Sequence, residues 1–297
     1  MTSTNSSAKT AQTLQLADGR SLGYAEYGSD DGKPLIYCHG LPGSRLEVAF
    51  LDQYARHAGV RLISIDRPGM GLSTFQPGRS FLDWPAEVMA LADHLQIGRF
   101  AVLGMSGGSP YAQACAYTIP DRLISCGIVS GIEPLALGTA GMNRGNRLIF
   151  FCARRLPWLL TPLIGLGARS FQTSERARRA MTKGLPQLVK PDREALLAFD
   201  GGESLALSTA EAYRQGVRGA AYEGRLYGRE WGFRLQDIRM QPLYLWHGEL
   251  DTNVGVAMAR AAAHLLPGCV ATYYPNDGHL STPLNHQEEI LTALFRT

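Results

Sequence analysis

The residues most able to do chemistry are gathered around Gly104-Met105-Ser106-Gly107-Gly108, a G-x-S-x-G sequence. It follows the apolar run Phe100-Ala101-Val102-Leu103 and precedes the small-residue stretch Tyr111–Tyr117, which Pro120 closes. Strand, sharp turn and helix in that order hold a serine hydroxyl up for nucleophilic attack. The flanking glycines serve because strand and helix must approach closely around a strained residue. A bare G-x-S-x-G arises by chance in a chain with 33 glycines. The strand and the helix on either side give this one its weight.

An activated serine needs a base and an acid that orients the base. Downstream of Ser106 the histidines are His247, His264, His279 and His286. His279, in Asn276-Asp277-Gly278-His279-Leu280-Ser281, falls on a loop between the last apolar run and the terminal helix, the best position for a base. His247 ends the preceding strand, His264 lies within a helix and His286 opens the last one. For the acid, Asp251 closes the loop His247-Gly248-Glu249-Leu250-Asp251-Thr252, with Glu249 as its competitor. Asp277 is too near His279 in sequence to hold its far nitrogen comfortably.

Two more loops follow strands. His39-Gly40-Leu41-Pro42-Gly43 is suited to aiming backbone N–H groups at a developing negative charge, and Leu41 and Gly107 are the expected donors. Asp66-Arg67-Pro68-Gly69-Met70-Gly71-Leu72-Ser73 reads as a rigid structural loop held by an internal ion pair. His39, Met105 and Leu280 are the expected substrate contacts. No metal site and no cofactor is expected.

These loops need elements to position them. Thr13–Leu16 and Leu22–Tyr27 flank an Asp18-Gly19 turn and predict an antiparallel hairpin. Apolar runs at Leu35–Cys38, Leu62–Ile65, Phe100–Leu103, Ile124–Val129, Leu243–Trp246 and Val270–Tyr274 predict strands of a parallel sheet covered on both faces. Phe81, Trp84, Val88, Leu91 and Leu95 predict a helix with Asp83 at its cap. Asn285 with Glu288 predicts the start of the last helix. A Val254–Leu266 helix is expected between the last two strands. From Gly131 to Pro242 the strand pattern stops for about 110 residues, too long for a loop. The expected division is therefore a disordered leader at 1–12, a core at 13–132 and 240–297, and a helical cap inserted at 133–239.

Within the insertion, Phe150, Phe151, Trp158, Leu159, Leu160, Leu163 and Ile164 are expected to pack over the cleft. Arg144, Arg147, Arg154, Arg155, Arg169, Arg176, Arg178 and Arg179 are expected to face water, the alternative being a surface for anionic lipids or acidic substrates. Tyr222, Tyr227 and Trp231 are placed either at the base of the insertion or against substrate.

Composition narrows the class. The chain has 297 residues, 45% hydrophobic and 19% charged, with a net charge of +3, too small to suggest nucleic acid. Five cysteines without a C-x-x-C pair argue against a disulfide framework or zinc site and favour a cytoplasmic location. The apolar stretch 148–166 contains Arg154, Arg155, Pro157 and Pro162, so no stable membrane insertion is expected. A homodimer is compatible with the sequence.

Taken in order, HGLPGS at 39–44, DRPGMGLS at 66–73, GMSGGSPYA at 104–112, HGELD at 247–251 and GH at 278–279 resemble the α/β-hydrolase superfamily, in its esterase-like branch with a helical cap. The resemblance runs from Leu14 to Phe295 and is weak only in the cap. It implies an α/β-hydrolase fold, with a mostly parallel central sheet flanked by helices. It also implies Ser106, Asp251 and His279 as triad and Leu41 and Gly107 as oxyanion donors. A serine at position 106 disfavours epoxide hydrolase and haloalkane dehalogenase chemistry, which use aspartate there. HGLPG also differs from the HGGG of hormone-sensitive-lipase-like esterases. The expected function is hydrolysis of carboxylic esters with short to medium acyl chains, through the Ser-Asp-His triad and an acyl-enzyme. Lactone, aminoacyl amide and carbon–carbon bond hydrolysis are the alternatives, and a ligand receptor without turnover is a more distant one.

Overall fold

A computed structural model describes residues 9–296. Eight strands form one sheet: β1 Lys9–Gln15, β2 Ser21–Gly28, β3 Lys33–Cys38, β4 Val60–Ile65, β5 Phe100–Met105, β6 Leu123–Val129, β7 Leu243–Gly248 and β8 Val270–Tyr274. Their spatial order is β1-β2-β4-β3-β5-β6-β7-β8. β2 runs antiparallel to β1 and β4, and every other pairing is parallel.

The continuous apolar runs are explained by burial on both faces. Leu35 and Tyr37 of β3, with Ala101 and Leu103 of β5, point into one core layer, which holds Ala55 of α1 (Asp52–His57) and Ile290, Leu291 and Leu294 of α12 (Gln287–Leu294). Ile36 and Cys38, with Phe100 and Val102, point into the other. That layer holds Val88 and Leu91 of α2 (Trp84–His94), Tyr111 and Ala112 of α3 (Ser109–Thr118), and Met258 and Ala262 of α10 (Val256–Leu265). Alternate residues along each strand thus serve opposite layers.

Among the described residues no strand lies between β6 and β7. Six helices fill that stretch: α4 Arg144–Arg155, α5 Leu160–Ala168, α6 Ser174–Gly184, α7 Lys190–Phe199, α8 Glu203–Ala212 and α9 Arg218–Tyr227. A five-residue helix, α11 (Ser281–Asn285), precedes α12.

Several expectations need correction. The first strand begins at Lys9, not Thr13, so Lys9–Gln12 is not part of a leader; residues 1–8 lie outside the described residues. Exposure of this edge strand removed the apolar alternation that would have marked it. Asp83 occupies the N-cap position of α2 as expected, but its side chain makes no capping bond there: it turns back to a preceding 3-10 turn and accepts the Ser80 N–H at 2.6 Å. Asn285 does not cap α12, because its amide donates to Asp277 at 2.7 Å. Asp66 and Arg67 do not pair with each other: neighbouring side chains diverge, and Asp66 meets Arg45 at 2.7 Å while Arg67 meets Glu223 of α9 at 2.6 Å. Finally, α4 and α5 pack on α9, where Leu160 abuts Gly224, and not over the cleft. The eight arginines between 144 and 179 are exposed, as expected, and so are Phe151 and Trp158.

Candidate active site

β5 delivers Ser106 to a turn where its φ is +50°, a left-handed value that costs a serine roughly 1–2 kcal/mol. The surroundings enforce it. A Cβ at Gly108 would stand 1.9 Å from the Cys38 carbonyl oxygen, and one at Gly104 2.7 Å from the Gly108 carbonyl oxygen. Only glycines permit β3, β5 and α3 to meet this closely.

The loops after β7 and β8 complete the arrangement. His279 Nε2 lies 3.0 Å from Ser106 Oγ, and His279 Nδ1 lies 2.7 Å from Asp251 Oδ2. Asp251 Oδ1 is fixed in turn by the N–H groups of Asn253 (2.7 Å) and Val254 (2.9 Å). Burial alone would lower the basicity of His279, but the Asp251 carboxylate outweighs it and the net shift is upward. Burial alone would raise the Asp251 pKa, and the neighbouring His279 reverses the direction. The other candidates stand elsewhere. Asp277 pairs with His286 at 2.7 Å. Glu249 is an exposed partner of Arg260. His247 is buried beside Asp251, with Nε2 2.8 Å from the Val254 carbonyl oxygen.

Two peptide groups flank Ser106 with fixed orientation. The Gly40 carbonyl oxygen accepts from Arg67 Nη2 and from His39 Nδ1, both at 2.8 Å. In a trans peptide the Leu41 N–H must point the opposite way. The Ser106 carbonyl oxygen accepts the Ile132 N–H at 3.0 Å, which turns the Gly107 N–H away in the same manner. The two groups are adjacent: a Cβ at Gly107 would lie 3.1 Å from Leu41 N. Among the described residues, Leu41 N–H donates to no backbone carbonyl.

Ser106 and His279 open into a cavity of about 410 Å³. Its walls are mostly apolar, with Leu41, Phe50, Met105 and Leu280 from the core and Phe171, Met181, Leu188, Leu196, Phe199 and Leu205 from the insertion. Met105 and Leu280 are therefore where substrate contacts were expected. His39 is not. It is fully buried behind the loop, with Nδ1 donating to Gly40 O and Nε2 accepting the Arg67 N–H at 3.3 Å, so it does not reach the cavity and makes no substrate contact there. Tyr222, Tyr227 and Trp231 stand outside this cavity, at the base of the insertion. Tyr227 stacks on Phe81, and its hydroxyl lies between the Gly107 carbonyl oxygen (2.8 Å) and Glu223, with one proton to serve them.

Sequence reasoning missed three buried acids. Glu223 of α9 neutralises Arg67, which grips the carbonyl oxygens of His39 and Gly40. Glu47 lines the cavity and accepts from Gly40 N–H (2.7 Å) and Tyr37 Oη (2.9 Å). Asp192 of α7 receives backbone N–H groups from the His279 loop. Each lies far from its partner in sequence or carries no motif, so no local signal marked it. Among the described residues, no cluster of His, Cys, Asp or Glu could hold a metal. No helix among them is long and apolar enough to cross a membrane.

With this fold and this geometry, residues 33–281 match the model of the α/β-hydrolase fold family, and the chain belongs to that family. Among curated proteins it is 34% identical over 113 residues to the dihydrolipoyllysine-residue acetyltransferase component of the acetoin cleaving system of Pseudomonas putida, covering 38% of this chain and 30% of that one. It is 30% identical over 128 residues to the (E)-2-((N-methylformamido)methylene)succinate hydrolase of Acinetobacter baylyi, covering 41% and 46%. The match thus spans less than half the length of either relative. Among solved structures, the esterase RhEst1 from a Rhodococcus species superposes with a TM-score of 0.65 at 21% identity, over 96% of this chain and 98% of that one, a likeness of fold.

Proposed function

We propose that this protein is a serine hydrolase of carboxylic esters, working through an acyl-enzyme on Ser106. The observation that carries the reading is the continuous line Ser106 Oγ, His279, Asp251, at 3.0 and 2.7 Å, opening into an apolar cavity. His279 takes the serine proton as Ser106 attacks the ester carbonyl, and the oxygen gains charge between the Leu41 and Gly107 N–H groups. His279 then protonates the leaving alcohol and activates the water that releases the acid, while Asp251 holds its tautomer and stabilises its charged form. The six-helix insertion acts as a cap, whose α6–α8 region closes the acyl cavity.

A cavity of about 410 Å³ falls at the lower end of the usual small-ligand range, which favours short to medium acyl chains. The test is a set of initial rates on p-nitrophenyl esters from acetate to palmitate. A rate optimum at short or medium chain length is expected. A folded protein that cleaves none of them would overturn ester hydrolysis and move lactones, amides or carbon–carbon bonds ahead.

A further inference from the structure

We infer that Asp192, from cap helix α7, is a positioning residue for the catalytic base: it clamps the backbone of the His279 loop and so makes the cap part of the catalytic apparatus. The inference rests on the reading of His279 as base.

Asp192 is 3% exposed, and its carboxylate faces a row of donors. Oδ2 accepts the His279 N–H at 3.1 Å. Oδ1 accepts the Leu280 N–H at 2.9 Å, the Ser281 N–H at 2.8 Å and the Ser281 hydroxyl at 2.9 Å. The same Ser281 oxygen accepts the Gly278 N–H at 2.7 Å, so the clamp reaches both sides of the histidine. The approach is close enough that a Cβ at Gly278 would stand 2.6 Å from Asp192 Oδ1. This gives the Gly-His pair a reason beyond turn formation. The loop's own carboxylate does not replace Asp192, since Asp277 is engaged with Asn285 and His286.

A buried carboxylate with four donors is satisfied and costly to disturb. Its placement matters because Asp251 and Ser106 fix only the imidazole ring, through its two nitrogens. The backbone that carries the ring is held on its N–H side by Asp192, while the Ser130 hydroxyl donates to the His279 carbonyl oxygen at 3.1 Å. The helix that supplies it also walls the cavity, with Leu196 and Phe199 four and seven residues further on. Any displacement of α7 therefore reaches the base. The Asp192 charge also supports the protonated form of His279, after Asp251.

The ordinary alternative is a helix cap for α11 with no bearing on catalysis, and the test separates the two. Asp192→Ala and Asp192→Asn are compared with wild type, with Glu194→Ala on the exposed side of α7 as control. Asparagine keeps an acceptor for Leu280 and Ser281 but loses the charge and the bond to His279 N–H. The expected result is a kcat lowered about 10- to 100-fold in Asp192→Ala, less in Asp192→Asn, with KM changed less than about threefold. The acid limb of kcat/KM moves to lower pH in both, and Glu194→Ala matches wild type. Folded Asp192 variants with wild-type kcat and an unmoved limb would overturn the inference.

A measurement on wild type keeps the test open should the variants fail to fold. Peptides covering 278–282 should exchange amide hydrogen as slowly as α7, and rapid exchange would overturn the clamp. Failure of the hydrolase reading looks different. In that case wild type shows no turnover, while 278–282 stays protected and loses protection in Asp192→Ala.

Discussion

Replacing Glu223 with alanine should destabilise the protein sharply, because one carboxylate there balances two buried guanidinium groups. Arg67 is fully buried and meets Glu223 through Nη2 at 2.6 Å and Nε at 2.9 Å. Arg79, 4% exposed, has Nη2 3.6 Å from the same carboxylate. Its one other polar partner given by the structure is the Tyr111 hydroxyl, at 2.6 Å from Nη1. Arg67 makes further bonds to carbonyl oxygens, which carry partial charge only. Removing one member of a buried pair typically costs about 3–5 kcal/mol, since the other is left charged and unpaired. For a chain of this size about 2 °C of Tm follows each kcal/mol, so the expected loss is roughly 6–10 °C. Thermal unfolding followed by circular dichroism at neutral pH measures it, and Glu223→Gln, which keeps an acceptor oxygen, should lose less. Ester hydrolysis should fall in kcat more than in KM, because Arg67 holds the Gly40 carbonyl oxygen that orients the Leu41 N–H. A Glu223→Ala protein melting within about 2 °C of wild type would refute the reasoning, showing that water or rearrangement neutralises the two arginines.

Three further outcomes follow from buried titratable groups. The raised pKa of His279 means that kcat/KM rises with pH through a midpoint above 6.5, as the imidazole loses its proton. Asp251→Asn should lower kcat by roughly 10³- to 10⁴-fold and move that midpoint down, and a pH–rate profile that stays in place would count against the pair. Glu133 is fully buried, with no cation beside it among the described residues. Burial raises its pKa to about 7, opposed in part by the Gln113 amide and the Ser109 hydroxyl. The unfolded carboxyl releases its proton near 4.5 while the folded one keeps it to about 7, so wild-type stability falls as pH rises through that window, by about 3 kcal/mol. Glu133→Gln lacks that fall and can offer an N–H to Gln113 Oε1, which has no partner among the described residues. Its Tm relative to wild type should therefore be more favourable at pH 8 than at pH 5, and equal differences at both would refute the assignment.

What could be read from the sequence was whatever a single stretch of chain decides. The parallel strands were legible because burial on both faces leaves near-continuous apolar runs, as in Leu35–Cys38 and Phe100–Leu103. Ser106, Asp251 and His279 were legible because each sits on a loop after such a strand, and sheet order carries those loops to one edge. Ion-pair partners were not, since Arg67 chooses Glu223 across 156 residues while its neighbour Asp66 goes to Arg45. The insertion between β6 and β7 was legible as helical but not in its orientation. Several of its helices have apolar faces, and nothing in Phe150–Ile164 says that it packs on α9 while Leu196 and Phe199 line the cavity at Ser106. Lys9–Gln12 escaped notice because an exposed edge strand need not be apolar.

The central claim is that Ser106 is the nucleophile, and covalent capture tests it most directly. Wild type and Ser106→Ala are treated with an alkyl fluorophosphonate, digested and mapped by mass spectrometry, with p-nitrophenyl ester rates measured on the same preparations. The expected result is a single adduct on Ser106 in wild type, none in the variant, and a rate lowered at least ~1000-fold. An adduct at another residue, or a folded Ser106→Ala protein that keeps more than about a tenth of the rate, would contradict it.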